Sequence, residues 1–95
     1  MRYVGTTKTV TGNYTIVDSD CVILADTTSG ALTVTLQPAS GLDGRTIFIK
    51  KIAGINNITI DGNAAETIDG AATNILATLW TSVTLVCDGS NWFII

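Results

Sequence analysis

The chain has 95 residues, 46% hydrophobic and only 14% charged, which is enough for one domain but leaves little charge to keep its surface wet. Its formal net charge is −3, and Arg2, Lys8, Arg45, Lys50 and Lys51 form no cluster dense enough for counterion-release binding to nucleic acid. Residues 1–20 hold no apolar secretory core, and no apolar stretch approaches the roughly 20 residues that span a bilayer, so no membrane partner is expected either.

Residues 1–12, "MRYVGTTKTVTG", read as an N-terminal arm or edge strand of a single domain covering residues 1–95. From there on, Thr, Ile and Val dominate and apolar residues alternate with polar ones, the period of half-buried β-strands. "NYTIVD" points Tyr14 and Ile16 inward. Asp18, Asp20 and Asp26 bracket a short strand that contains Cys21. "ALTVTLQ" turns Leu32, Val34 and Leu36 to one face and Thr33 and Thr35 to the other. Pro38 then opens the loop "PASGLDG", and "TIFIKK" buries Ile47 and Ile49 opposite Phe48 and Lys50. "NITID" contributes Ile58 and Ile60, "SVTLVCD" contributes Val83, Leu85 and Cys87, and "NWFII" sets Trp92 and Ile94 opposite Phe93 and Ile95. "ATNILATLW", residues 72–80, has some helical spacing, but its threonines favour a strand. Many short strands at roughly ten-residue spacing predict an all-β fold, an antiparallel β-sandwich of jelly-roll type.

Asp-Gly occurs at 43–44, 61–62, 69–70 and 88–89, and both residues tolerate the positive φ of tight turns. The repeat "TIDG", at 59–62 and again at 67–70, is therefore read as one corner written twice, with Asp-Gly reversing a strand each time.

Histidine is absent, which removes Ser-His-Asp and Cys-His catalysis and the common zinc sites. Asp61, Glu66 and Asp69 are close enough in sequence for a glycosidase pair, but Asp61 and Asp69 precede glycines in turns and Glu66 is expected on the polar face of a strand. The spacing of Asp18, Asp20 and Asp26, and of Asp61, Asn63 and Asp69, matches no calcium loop and reads as turn capping. The expectation is no enzyme, no catalytic residue, no metal and no cofactor. Cys21 and Cys87 lie far apart in apolar runs; one disulfide between them is an open alternative, and buried free thiols are the favoured reading. Tyr3, Tyr14, Trp80 and Trp92 are candidates for stacking on sugar rings; Trp92 alternates with inward Ile94 and reads as core or subunit interface, which leaves Trp80 as the surface candidate.

The order "TVTLQPASGLDGRTIFIKK", then "NITIDGNAAETIDG", then "SVTLVCDGSNWFII", resembles a small β-module that recurs in tailed-phage virion proteins, in tail fibres, head fibres and capsid decoration proteins. The resemblance runs from about Tyr14 to Ile95. It implies a β-sandwich, often trimeric, that serves as a virion surface or fibre part and is not an enzyme. The short segment ahead of it favours a stand-alone decoration protein or a terminal domain. The expected localisation is the virion, assembled in the host cytoplasm, and the expected partners are further copies of the chain and capsid or tail proteins.

A small, apolar, low-charge β-domain gains from covering its edges and faces by self-association. The residues expected at the subunit interface are Ile75, Leu79, Trp80 and Phe93, apolar positions outside the clearest inward sets. The alternative is a receptor- or carbohydrate-binding module of a phage tail fibre, contacting a host surface glycan through the loops of Asp61 and Asn63 and of Asp88 and Asn91, with Trp80 as the stacking face.

Overall fold

The computed structural model describes residues 5–95 and contains nine strands and no helix among them: β1 (Thr6–Val10), β2 (Tyr14–Thr15), β3 (Asp20–Asp26), β4 (Leu32–Thr35), β5 (Thr46–Ala53), β6 (Ile58–Asp61), β7 (Thr73–Leu76), β8 (Ser82–Cys87) and β9 (Trp92–Ile94). Nothing in this set is a helix long and apolar enough to cross a membrane. The strands form two sheets. Sheet A has the order β1-β3-β5-β8-β9, and sheet B the order β2-β4-β6-β7.

The all-β expectation holds, and two sheets enclose one core, but the strand directions are mixed. The chain passes from sheet A to sheet B and back, so β1, β3 and β5 stack parallel in one sheet while β2, β4 and β6 stack parallel in the other. Only β5–β8, β6–β7 and β8–β9 are antiparallel. Alternation predicts which residues point inward, but it carries no information about the direction of the neighbouring strand. Here the crossover that parallel neighbours require is a strand of the opposite sheet. The first six strands make three flattened coils, and β7, β8 and β9 fold back antiparallel to close them.

The inward rows follow from register. Ile23, Ile49 and Val83 lie side by side in sheet A, as do Ile47, Leu85 and Ile94. Leu32, Ile58 and Leu76 do the same in sheet B. All of these are buried except Val83 and Ile94, which pack partly buried against the rest. Stacked aliphatic side chains remove a continuous apolar strip from water, worth about 25 cal/mol per Å². Trp92 and Cys87 complete the core, and Cys21 and Cys87 are free thiols. The segment 72–80 forms strand β7 followed by a turn, as its threonines predict.

Pairing fixes two ends of the sandwich. One, called upper here, carries the loops 16–19, 36–45, 62–72 and 88–91. The lower end carries 11–13, 27–31, 54–57 and 77–81. The second TIDG is a tight corner: Asp69 (φ 51°) and Gly70 (φ 85°) link Ile68 and Ala71, which exchange both backbone hydrogen bonds. The first is different. Asp61 ends β6, but Gly62 has no positive φ, and the reversal into β7 takes the whole loop. Gly62 is needed for close approach, since a Cβ there would lie 2.4 Å from the Glu66 carbonyl oxygen. Glu66 itself sits in that loop and not on a strand face.

Gly70 has open space around a left-handed backbone, so Gly70→Ala is expected to cost about 1 kcal/mol. Gly54, with φ +88° and Thr27 backbone 2.4 Å from an added Cβ, should tolerate alanine far less. Urea unfolding of the two variants checks that order. Asp69→Asn should fold with near-parental stability, because Asn-Gly suits the same turn and its amide oxygen can still accept the Ile94 amide.

Candidate interaction surface

The outer face of sheet A is unusually apolar for a solvent-facing sheet. One cross-strand row runs Val22, Phe48, Thr84, and Ile95 continues it, its backbone amide donating a hydrogen bond to the Thr84 carbonyl. The next row is Thr46, Val86, Phe93, and a third is Leu24, Lys50, Ser82. Phe48 is 42% exposed, Phe93 39% and Ile95 75%. Sheet B turns a different face outward: Thr33, Thr59 and Ile75 in one row, and Thr15, Thr35, Asp61 and Thr73 in the other.

At the upper end of the sheet A face, a cavity of about 610 Å³ is lined by Asp18, Cys21, Leu42, Arg45, Thr46 and Phe48. A polar network gives it a fixed rim. Gln37, nearly buried, donates from Nε2 to Asp18 Oδ1 (2.6 Å) and accepts from Arg45 Nε at Oε1 (3.0 Å). Arg45 Nη2 also donates to the Val17 carbonyl (3.0 Å), and the Trp92 indole donates to the Gln37 carbonyl (3.3 Å). The loop after β4 is thereby tied to the turn before β3, and the guanidinium is held in place by two directed bonds. Beside this rim, Asp20 is buried and accepts from the Tyr14 hydroxyl (2.7 Å) and the Val17 amide (3.0 Å). That hydrogen bond, with burial and the Asp20 charge adding to it, pushes the Tyr14 phenol up from its ordinary value.

The lower end carries a second feature. Trp80 is 60% exposed and has φ +71°, a left-handed backbone that is rare for a bulky residue. Its amide donates to the Lys51 carbonyl, and Lys50 Nζ donates to the Trp80 carbonyl (2.9 Å). Lys51, almost fully buried, reaches the same loop from inside through Nζ to the Ala77 carbonyl (2.7 Å). Both lysines of the Lys-Lys pair thus hold the loop that presents Trp80.

The predicted interface residues are all exposed, Ile75 at 54% and Leu79 at 41% beside Trp80 and Phe93, but they do not share one face. Ile75 lies on sheet B, Phe93 on sheet A, and Leu79 and Trp80 in the lower loop. The predicted ligand loops do come together at the upper end, where Asn91 Oδ1 accepts the Thr67 amide (2.9 Å) next to the loop of Asn63. Trp80 is at the opposite end, so it cannot serve as their stacking face. Tyr3 lies outside the described residues. Phe48, Cys21 and Arg45 were not singled out by the sequence as surface residues; the outward position of Phe48 between inward Ile47 and Ile49 was the available signal.

The carboxylates are mostly committed to backbone amides. Both oxygens of Glu66 accept the Ala39 amide at 3.0 Å, Asp69 accepts that of Ile94, and Asp26 that of Thr28. Asp88 accepts the amides of Asn91 and Ser90, which holds its carboxyl below the ordinary carboxylate range. Bonds to the Thr28 hydroxyl and amide lower Asp26 in the same direction. Among the described residues, no three Cys, Asp or Glu side chains converge as a metal-binding group would require. Cys87 is pushed up by burial, so it is a poor nucleophile.

No protein-family model matches this chain, and a search of curated proteins returns no match.

Arg45→Ala removes two directed bonds from a charged donor and should lower stability by about 2 kcal/mol in urea unfolding. Asp88 and Asp26 contribute stability that is present above their unfolded pKa and lost as pH falls through the depressed folded values. Acid titration of thermal stability should therefore show a decline below about pH 4, and Asp88→Asn should make that decline shallower.

Proposed function

We propose that this protein is a structural part of a tailed-phage virion, a homotrimeric β-sandwich that decorates the capsid or forms the head of a fibre. The observation that carries the reading is the outer face of sheet A, where Phe48, Phe93 and Ile95 stand exposed on a domain too small to waste apolar surface. The order of the sequence motifs supports the phage assignment, and the apolar face supports the assembly. In this reading subunits join through apolar faces and strand edges, the chain carries no catalytic machinery, and a closed ring hides the patches that would otherwise drive aggregation. Capsid or tail proteins are the onward partners, and the virion is the location.

The second reading is a receptor- or glycan-binding module. It is favoured by the juxtaposed loops of Asp61 and Asn63 and of Asp88 and Asn91 at the upper end. It is weakened by the commitment of Asp88 and Asn91 to holding their own loops.

Light scattering across a dilution series should return three times the chain mass down to low micromolar concentration. A monomer at every concentration would remove the trimeric part of the reading, and a positive glycan array on that monomer would put the binding module in its place.

A further inference from the structure

The lower end of the sandwich carries an exposed aromatic residue, and the upper end of the sheet A face carries a cavity. Trp80 sits by Lys51 at the lower end of β5, and the cavity is lined by Thr46 and Phe48 at the upper end. At about 3.3 Å per residue, Thr46 and Lys51 are separated by about 17 Å, which is too far for a chain to fill its own cavity with its own indole.

We infer that Trp80 of one copy docks into the Cys21–Leu42–Phe48 cavity of a second copy, and that this knob-and-socket contact is the self-association interface. The inference rests on the self-association part of the function proposed above. Three features commit the occupant to a second copy of this chain. The first is size, since a cavity of about 610 Å³ accepts an indole together with the neighbouring Leu79. The second is charge complementarity. Lys50 accompanies Trp80, bonded to its carbonyl. Asp18 lies at the cavity, where Gln37 engages its Oδ1 and, among the described residues, no group bonds its Oδ2. Docking brings that ammonium towards that carboxylate. The third is the rim cation: Arg45 is fixed by its bonds to Gln37 and Val17, and a guanidinium held at the cavity wall offers its face to an incoming indole, an arrangement Trp favours over other rings.

The strain at Trp80 agrees with this role. A bulky residue at φ +71° persists because Lys50, Lys51 and the backbone hold the loop, and strain of this kind concentrates where a surface is pre-organised to bind. A rigid Trp loses little freedom on docking, which is why such residues dominate interface energetics. The knob is at the lower end of the sandwich and the socket at the upper, so copies can join head to tail and three can close a ring.

Cys21 makes the contact readable. It lines the socket and is half-buried, whereas Cys87 is buried. The experiment follows the native mass and the reaction of the full chain with Ellman's reagent across the same dilution series, for the parent, Trp80→Ala and Thr46→Trp. The parent is expected to associate, with Cys21 protected at high concentration and reactive on dilution. Trp80→Ala should weaken association more than tenfold and leave Cys21 reactive throughout. Thr46→Trp, which fills the socket from within, should weaken it comparably, and alkylating Cys21 with a bulky maleimide on diluted parent should block reassociation without any substitution. An oligomer whose mass and Cys21 reactivity are unchanged by Trp80→Ala would overturn this contact while leaving the oligomeric reading intact. A parent that is monomeric at every concentration would overturn both.

Discussion

Everything in this fold depends on the aliphatic rows that stack across parallel coils. Ile23 beside Ile49, and Leu32 beside Ile58, are neighbours because each turn of the chain returns to the same sheet one strand further on. The rows of the two sheets meet in one hydrophobic cluster. A slip of one residue in any coil would move its row to the solvent face. The coils therefore enforce one another's register, and a chain this small reaches a defined core with Cys21 and Cys87 unpaired.

The ends of the coils are where the core stops and polar bonds take over. At the upper end Gln37 gathers Asp18, Arg45 and Trp92 around itself. At the lower end the Thr27 hydroxyl bonds the Ala53 carbonyl, Asn56 bonds the Thr27 carbonyl, and Lys51 crosses to the loop of Ala77. Among the described residues no buried side-chain nitrogen or oxygen is left without a partner. Buried polar groups are costly only when unpaired, so these bonds fix the loops at little net expense to the core. The consequence reaches the surface, since the cavity rim and the Trp80 loop are the outward sides of these two clusters.

The inward residues were legible in the sequence because period-two alternation is a local property. Leu32, Val34, Ile47, Ile49, Ile58, Ile60 and Leu85 are all buried as their spacing implies. Strand direction was not legible, because it depends on which distant segment lies alongside. The connections also differ in length, from the ten-residue loop 36–45 that contains "PASGLDG" to the four-residue turn 16–19 before β3, so no internal repeat advertises the stacking. Residue chemistry picked out Trp80 as a surface residue, but it could not place Trp80 at the opposite end from the Asp-Gly loops with which it had been grouped. The cavity was invisible for the same reason, since Asp18, Cys21, Leu42 and Phe48 meet only after the coils form. Glu66 misled most simply: its neighbours suggested a strand, and its carboxylate is in fact a backbone acceptor for the Ala39 amide.

The two ends of each sheet, counted across the strands, are not alike. On one side the pairing turns antiparallel, β7 against β6 and β8 against β5, with β9 antiparallel to β8 at the edge. On the other, β1 leaves a parallel edge, with Lys8 set at an inward position of the ladder and its ammonium 5.7 Å from the Tyr14 ring centroid. A cation at that place blunts further strand addition without covering the edge. Across its strands the sandwich therefore has a direction, parallel at the β1 side and antiparallel at the β9 side, and an added coil at the β1 side would leave the closing strands, and the apolar face they help to build, unchanged.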